Sequence, residues 1–234
     1  MVSEESRNLL SMEEDGALVN EHSVKMFENL MQGTHGFTKL MTYYKCAMME
    51  IETKFNVLNE EFSLQYDRQP ISTIKTRIKK PISILRKMEK NSYTLDLASM
   101  EEHIRDIAGV RVVCSFIDDV YMLADLLLNQ DDVTLIEKKD YIKNPKENGY
   151  RSLHLIVEIP IFLAHEKRTM KVEIQLRTIA MDFWASLEHQ LRYKKDIFFT
   201  DEMSAELNAC AGVSADLDMR MAELAKKCRP KDFT

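Results

Sequence analysis

Apolar residues recur at three- and four-residue intervals beyond residue 34, at Phe37, Leu40, Tyr44, Met48, Ile51, Phe55, Leu58 and Phe62. That spacing lines one face of a helix, so the sequence predicts a long amphipathic helix over 34-66 that packs on a core. The segment 70-80 has no clear period. Pro81 then suits the first turn of a helix in which Ile82, Leu85 and Met88 face inward. After Gly109, the residues Val110, Val112, Cys114 and Phe116 alternate with Arg111, Val113 and Ser115, which is the period of a strand, and Asp118 is placed to cap a helix through Leu128. Further strands are expected at 133-139, at 152-159 where Pro160 ends the run, and at 171-177. In the last of these, Val172, Ile174 and Leu176 alternate with Lys171, Glu173, Gln175 and Arg177, so one face is apolar and the other wholly polar. Two more helical patterns run from Ala180 to Leu191 and over 201-228. This order implies an α+β fold, a sheet flanked by helices, in place of a doubly wound parallel one.

Composition narrows the picture. With 234 residues, 45% of them hydrophobic, and only 6 Gly and 5 Pro, the chain suits one core and excludes collagen-like or wholly disordered classes. Residues 1-33, acidic and irregular, are expected to form a partly ordered leader before a single domain over 34-234. No stretch approaches the ~18 apolar residues of a membrane span, and the start lacks a basic region followed by an apolar one, so a soluble, cytoplasmic protein is expected. Cys46, Cys114, Cys210 and Cys228 lie far apart and form no CxxC, which suits reduced thiols. A formal charge of -6 argues against a general nucleic-acid coat or a membrane-surface binder, and single-stranded RNA is a possible partner but not an expected one. The distribution matters more, because residues 75-90 hold seven bases and one acid. A local anion site inside an acidic protein follows.

The glycines, at 16, 33, 36, 109, 149 and 212, form neither GxGxxG nor a GxxxxGK[ST] loop, so any phosphates must be held by side chains. Arg77 and Lys79 on the approach to a helix, with Ser83 and Lys87 on its exposed face, suit that task near a helix N-terminus. A solvated basic helix accounts for the same charges. Glu173, Gln175 and Arg177 project together, and His154 with Ser152 is expected to project likewise from a neighbouring strand. Asp106, just ahead of the first strand, is a possible partner for Glu173. Two carboxylates from different strands beside a basic cluster are a usual means of holding Mg²⁺ against a nucleoside triphosphate. The loop 139-151 adds Lys143, Lys146 and Arg151 around Tyr150, which either stacks on a base or closes a hairpin. His154 is either a ligand contact or a satisfied core histidine.

The ordered set TRIKKPISILRK, IRDIAGVRVVCSF, DYIKNPKENGYRSLH and VEIQLRTIAMDFWASLEH resembles the synthetase domain of the RelA/SpoT family, across residues 75-195. The length resembles its single-domain members, the small alarmone synthetases. The resemblance implies a nucleotidyltransferase-like synthetase domain, with a mixed, largely antiparallel sheet of about five strands and N- and C-terminal helices. It implies transfer of the β,γ-diphosphate of ATP to the 3′-hydroxyl of GTP or GDP, giving (p)ppGpp and AMP. The family's HDxxED hydrolase motif is absent, which implies synthesis alone. By resemblance Arg77, Lys79, Ser83, Lys87 and Arg111 contact ATP, and Asp106 and Glu173 bind Mg²⁺, with Glu173 also the candidate base. Tyr150 stacks on guanine, Lys139, Lys146, His154 and Gln175 contact the acceptor, and Arg151 and Arg177 line the site. Relatives form ring-like homotetramers through terminal helices, and the stripes at 34-62 and 201-226 suit that, although packing within one chain suits them too.

Some positions depart from the family. Asp182 stands where Asn occurs in allosterically activated small synthetases, and Thr73 and Lys75 replace an aromatic and a hydroxyl. An acid where an anionic alarmone would dock is expected to leave activation by pppGpp weak or absent. Two other functions fit the same residues: a nucleotidyltransferase that releases pyrophosphate, and a non-catalytic nucleotide or RNA-binding module. The leaving group separates the first from diphosphate transfer, and metal-independent binding without turnover marks the second.

Overall fold

The computed structural model describes residues 35-66, 68-192 and 199-228, so the leader expected at 1-33 lies outside the described residues. Helix α1, His35–Tyr66, buries Phe37, Leu40, Tyr44, Met48, Ile51, Phe55 and Leu58. Side chains of this size stabilise by about 1.5-3 kcal/mol each when fully buried. That stripe lies against β1, β2, β4 and β5 and ends before Phe62, which turns instead onto Tyr66.

Five strands form one sheet in the order β1-β2-β5-β4-β3, with β1 Ile71–Ile78, β2 Ala108–Cys114, β3 Thr134–Asp140, β4 Leu153–Phe162 and β5 Lys167–Thr178. β2 and β5 run parallel and the other pairs antiparallel. The mixed, largely antiparallel sheet of an α+β fold is therefore present. β1 occupies the stretch without a clear period. Only Ile71 is fully buried there, and the exposed Thr76 breaks the run between the half-buried Ile74 and Ile78. Pro160 does not end β4, because the ladder to β3 stops at Glu158 and Pro160 has β5 as its one neighbour, so its missing N–H breaks no second ladder.

Between the strands lie α2, Pro81–Lys90, and α3, Leu97–His103, followed by α4, Ile117–Leu128. The seven-residue α3 is too short to announce itself by period, and it starts where Asp96 accepts a hydrogen bond from the Ser99 N–H at 2.8 Å. Asp118 does not cap α4. Phe116 is the N-cap, Asp119 accepts its N–H at 3.2 Å, and Asp118 instead pairs with Lys226.

Helices α5, Ile179–Arg192, and α6, Asp201–Cys228, close one end of the sheet. Trp184 Nε1 donates to Leu207 O, and Thr178 Oγ1 donates to Asp218 Oδ2, tying α6 to the strand end. Gly149 lies under α6 at φ 86°, where a Cβ would sit 2.4 Å from that of Ala211, so only glycine fits this approach. The two faces of the sheet differ as the alternation requires. Val110, Val112, Leu153, Leu155, Val172, Ile174 and Leu176 are buried on the side that α1 covers.

Candidate active site

On the opposite face, the strand register lays side chains out in rows. Lys75, Arg111, Gln175, His154 and Lys139 face one another across all five strands, and the next row is Arg77, Gly109, Glu173, Ile156 and Glu137. A cleft of about 210 Å³ opens over β1, β2 and β5, lined by Lys75, Arg77, Gly109, Arg111, Glu173 and Gln175 among others. Gly109 makes room for it. A Cβ there would lie 3.3 Å from Arg77 Cγ, so the glycine lets the Arg77 side chain cross β2 toward Glu173, whose charge it stabilises.

Asp106 precedes β2, and each of its oxygens accepts from a different lysine: Lys79 Nζ to Oδ2 at 3.2 Å and Lys87 Nζ to Oδ1 at 2.9 Å. Burial alone would raise its pKa, but the two ammonium groups outweigh burial and hold the carboxyl below the usual range. Lys79 is fixed by its own backbone, since its N–H donates to Ile107 O at 2.8 Å. Lys87 comes from α2, with Ser83 one turn before it near the N-terminus that Pro81 opens.

Glu173 is held differently. His154 Nδ1 lies 3.5 Å from its Oε1, and Gln175 Nε2 donates to Oε2 at 3.1 Å. Gln175 Oε1 accepts from Arg177 Nη2 at 2.9 Å, which also donates to Tyr150 Oη at 2.6 Å, and Tyr150 Oη lies 2.8 Å from His154 Nε2. The five side chains close a ring. Because Arg177 donates to the phenol, its O–H is free to donate to Nε2, which assigns the ring proton to Nδ1, facing Glu173. Burial pushes Glu173 up and His154 draws it down, with Asp106 opposing and Arg77 assisting, and the carboxyl ends below its usual range. Asp106 stands three residues ahead of Gly109, which pairs with Glu173 in the β2–β5 ladder, so the two acids lie toward the same end of the cleft.

Asp182, at the start of α5, accepts from Lys75 Nζ at 3.0 Å and from Arg111 Nη1 and Arg177 Nη1 at 3.3 Å each. Burial raises its pKa, and these cations more than reverse it. Arg111 Nε is buried with no hydrogen-bond partner among the described residues, a donor left for a ligand or a water. Lys146 Nζ sits 5.0 Å from the centre of the Tyr150 ring and 4.8 Å from that of Tyr141.

The structure therefore brings together Arg77, Lys79, Lys87, Asp106, Arg111, Tyr150, His154, Glu173, Gln175 and Arg177, with Ser83 on the same helix as Lys87. Lys139 lies at the outer end of its row, paired with Glu137 at 3.0 Å. Arg151 is the exception. It precedes β4 and lines a separate pocket with Trp184 and Asp218. Lys75 and Asp182 belong to the site as partners of Arg111 and Arg177, which no spacing in the sequence signals.

Among the described residues, no group of three or more His, Cys, Asp or Glu is placed to hold a metal. Asp106 and Glu173 supply two hard oxygen donors, which suits Mg²⁺, an ion that keeps several waters and takes remaining ligands from phosphates.

Residues 76-197 match the family described as a region found in RelA / SpoT proteins. The chain is 40% identical over 205 residues to GTP pyrophosphokinase YwaC from Bacillus subtilis (strain 168), covering 88% of this chain and 98% of that one. Small alarmone synthetase 1 from Bacillus subtilis bound to its product pppGpp is similar at a TM-score of 0.76 and 31% identity, over 84% of this chain and 100% of that one. The same synthetase bound to AMPCPP is similar at a TM-score of 0.70 and 29% identity, over 83% and 98%.

Proposed function

Because this chain belongs to the RelA/SpoT family, as a small alarmone synthetase with GTP pyrophosphokinase activity, we propose that its cleft takes ATP on the β1–α2 side and GTP or GDP on the β4–β5 side. The observation that carries this division is the pair of acids, Asp106 among phosphate-seeking lysines and Glu173 in the ring that includes Tyr150. Arg77, Lys79, Ser83, Lys87 and Arg111 bind the donor, and Lys139, Lys146, Tyr150, His154 and Gln175 bind the acceptor. Arg177 lines the site between them.

Little covalent help is needed, because the transferred group is already activated and the work is alignment and charge neutralisation. Arg77, Lys79 and Lys87 hold the triphosphate so that its β-phosphorus faces the acceptor ribose. The 3′-oxygen bonds to that phosphorus as the bond to the α,β-bridging oxygen breaks, and AMP leaves. Glu173, kept ionised, takes the hydroxyl proton on a carboxylate oxygen, and His154 and Gln175 fix its orientation. Tyr150 offers its ring to guanine, with Lys146 and Arg177 beside it. Asp106 and Glu173 would hold Mg²⁺, which supplies charge neutralisation on the phosphate oxygens and lowers the pKa of a bound hydroxyl.

Incubating the purified chain with labelled ATP and either GTP or GDP is expected to give a penta- or tetraphosphate and AMP, while release of pyrophosphate would support a nucleotidyltransferase instead. Lys75, Arg111 and Arg177 pair with Asp182, so an added anion meets an acid whose neighbouring cations are engaged, and pppGpp in the same assay is expected to leave the rate within about twofold.

No helix among the described residues is long and apolar enough to cross a membrane, and we place the enzyme in the cytoplasm with its nucleotides. The exposed Val57 and Leu64 on α1, and Val213, Leu217, Met221 and Leu224 on α6, supply apolar surface for a homotetramer. Light scattering is expected to give four times the mass of one chain, and a monomer mass would remove that assembly.

A further inference from the structure

We propose that Lys79 and Lys87 are placeholders for the divalent cation, so that the metal enters with the triphosphate and not before it. This rests on the reading of Asp106 as a metal ligand. Both Asp106 oxygens are taken, Oδ2 by Lys79 at 3.2 Å and Oδ1 by Lys87 at 2.9 Å. Glu173, the other acid, has no lysine or arginine within ion-pair distance among the described residues and is held by Gln175 and His154. The site is thus guarded on one side only. A cation approaching Asp106 meets two like charges and must displace at least one of them.

The identity of the guards suits exchange. Lysine presents a compact ammonium on a flexible stem, so it can leave a carboxylate without backbone movement, whereas an arginine fork would grip both oxygens at once. Both lysines are also the donor-phosphate contacts proposed above. A polyanionic triphosphate gives them a richer set of acceptors. As they move onto phosphate, Asp106 is uncovered beside oxygens that complete the coordination of a hard cation. One exchange of partners loads the nucleotide and opens the metal site, which protects the enzyme from binding metal unproductively.

The test is Mn²⁺ binding to the full chain followed by electron paramagnetic resonance, with and without AMPCPP, whose methylene bridge replaces the oxygen at which transfer cleaves. Without nucleotide, wild type is expected to bind Mn²⁺ weakly, and Lys87→Met at least fivefold more tightly, with Lys79→Met as a second variant should the first fold poorly. Adding Asp106→Asn to Lys87→Met is expected to abolish the gain. With AMPCPP, wild type is expected to form a ternary complex whose Mn²⁺ spectrum differs from that of Mn²⁺–AMPCPP alone. Nucleotide-free affinities that are equal in wild type and both lysine variants would overturn the placeholder role while leaving the metal site intact. Identical ternary spectra in wild type and Asp106→Asn would instead remove Asp106 as a ligand, and the inference with it.

Discussion

Glu173→Gln is expected to lower the rate of diphosphate transfer by about 10²–10⁴-fold, the range a positioned proton acceptor contributes. The substitution keeps the shape of the side chain and changes its charge. The amide oxygen can still accept from Gln175 Nε2 while its NH2 faces His154 Nδ1, which becomes an acceptor in the other imidazole tautomer, so the side chain keeps its place and thermal melting is expected to stay close to wild type. What is lost is an ionised oxygen facing the acceptor hydroxyl and one hard donor for the cation. Affinity for GDP, read by calorimetry, is expected to change by less than about fivefold, since the contacts proposed for guanine come from Tyr150 and Lys146. A turnover within tenfold of wild type would take Glu173 out of the chemical step.

Asp106→Asn is expected to cost a similar factor by a different route. It removes the charge shared by Lys79 and Lys87 and leaves two ammonium groups without their counter-ion. Breaking a buried ion pair by deleting one partner costs about 3-5 kcal/mol, but Lys87 is 39% exposed, so water relieves much of that here. The freed lysines favour phosphate, so ATP binding without metal is expected to hold or tighten while turnover falls by about 10²-fold or more for want of a metal carboxylate. Paired measurements of metal-free ATP affinity and of rate check this directly. Weaker ATP binding together with near-normal turnover would reverse the assignment.

Much of the fold was legible because it rests on local periodicity. The apolar stripe of α1, the alternation in β2 and β5 and the start of α2 at Pro81 follow from side-chain spacing along single segments. The misses have local causes as well. The edge strand β1 carries site residues on one face and an exposed threonine within the other, so its pattern was too diluted to read. α3 has too few residues to show a period, and Pro160 misled because its tolerance depends on which neighbour β4 has at that point. For the site, the polar faces of β4 and β5 were visible in the alternation, while Arg151, expected to line the site beside Arg177, lines another pocket under α5 and α6, because it lies in the loop before β4, where no strand period fixes its direction.

Residue order alone determined that Glu173, Gln175 and Arg177 share a face, since a strand repeats every two residues wherever it lies. It also determined that Lys87 stands one turn beyond Ser83, and that a dense cluster of bases precedes the first acid of the site. Only the tertiary structure decided that Arg77 crosses Gly109 toward Glu173, that two lysines close on Asp106, and that Asp182 gathers Lys75 from 107 residues away and Arg111 from 71. Periodicity belongs to a single segment, whereas strand register and order are set by loops and by the packing of α1 and α4 on the far side of the sheet. Those distant contacts choose which charges meet.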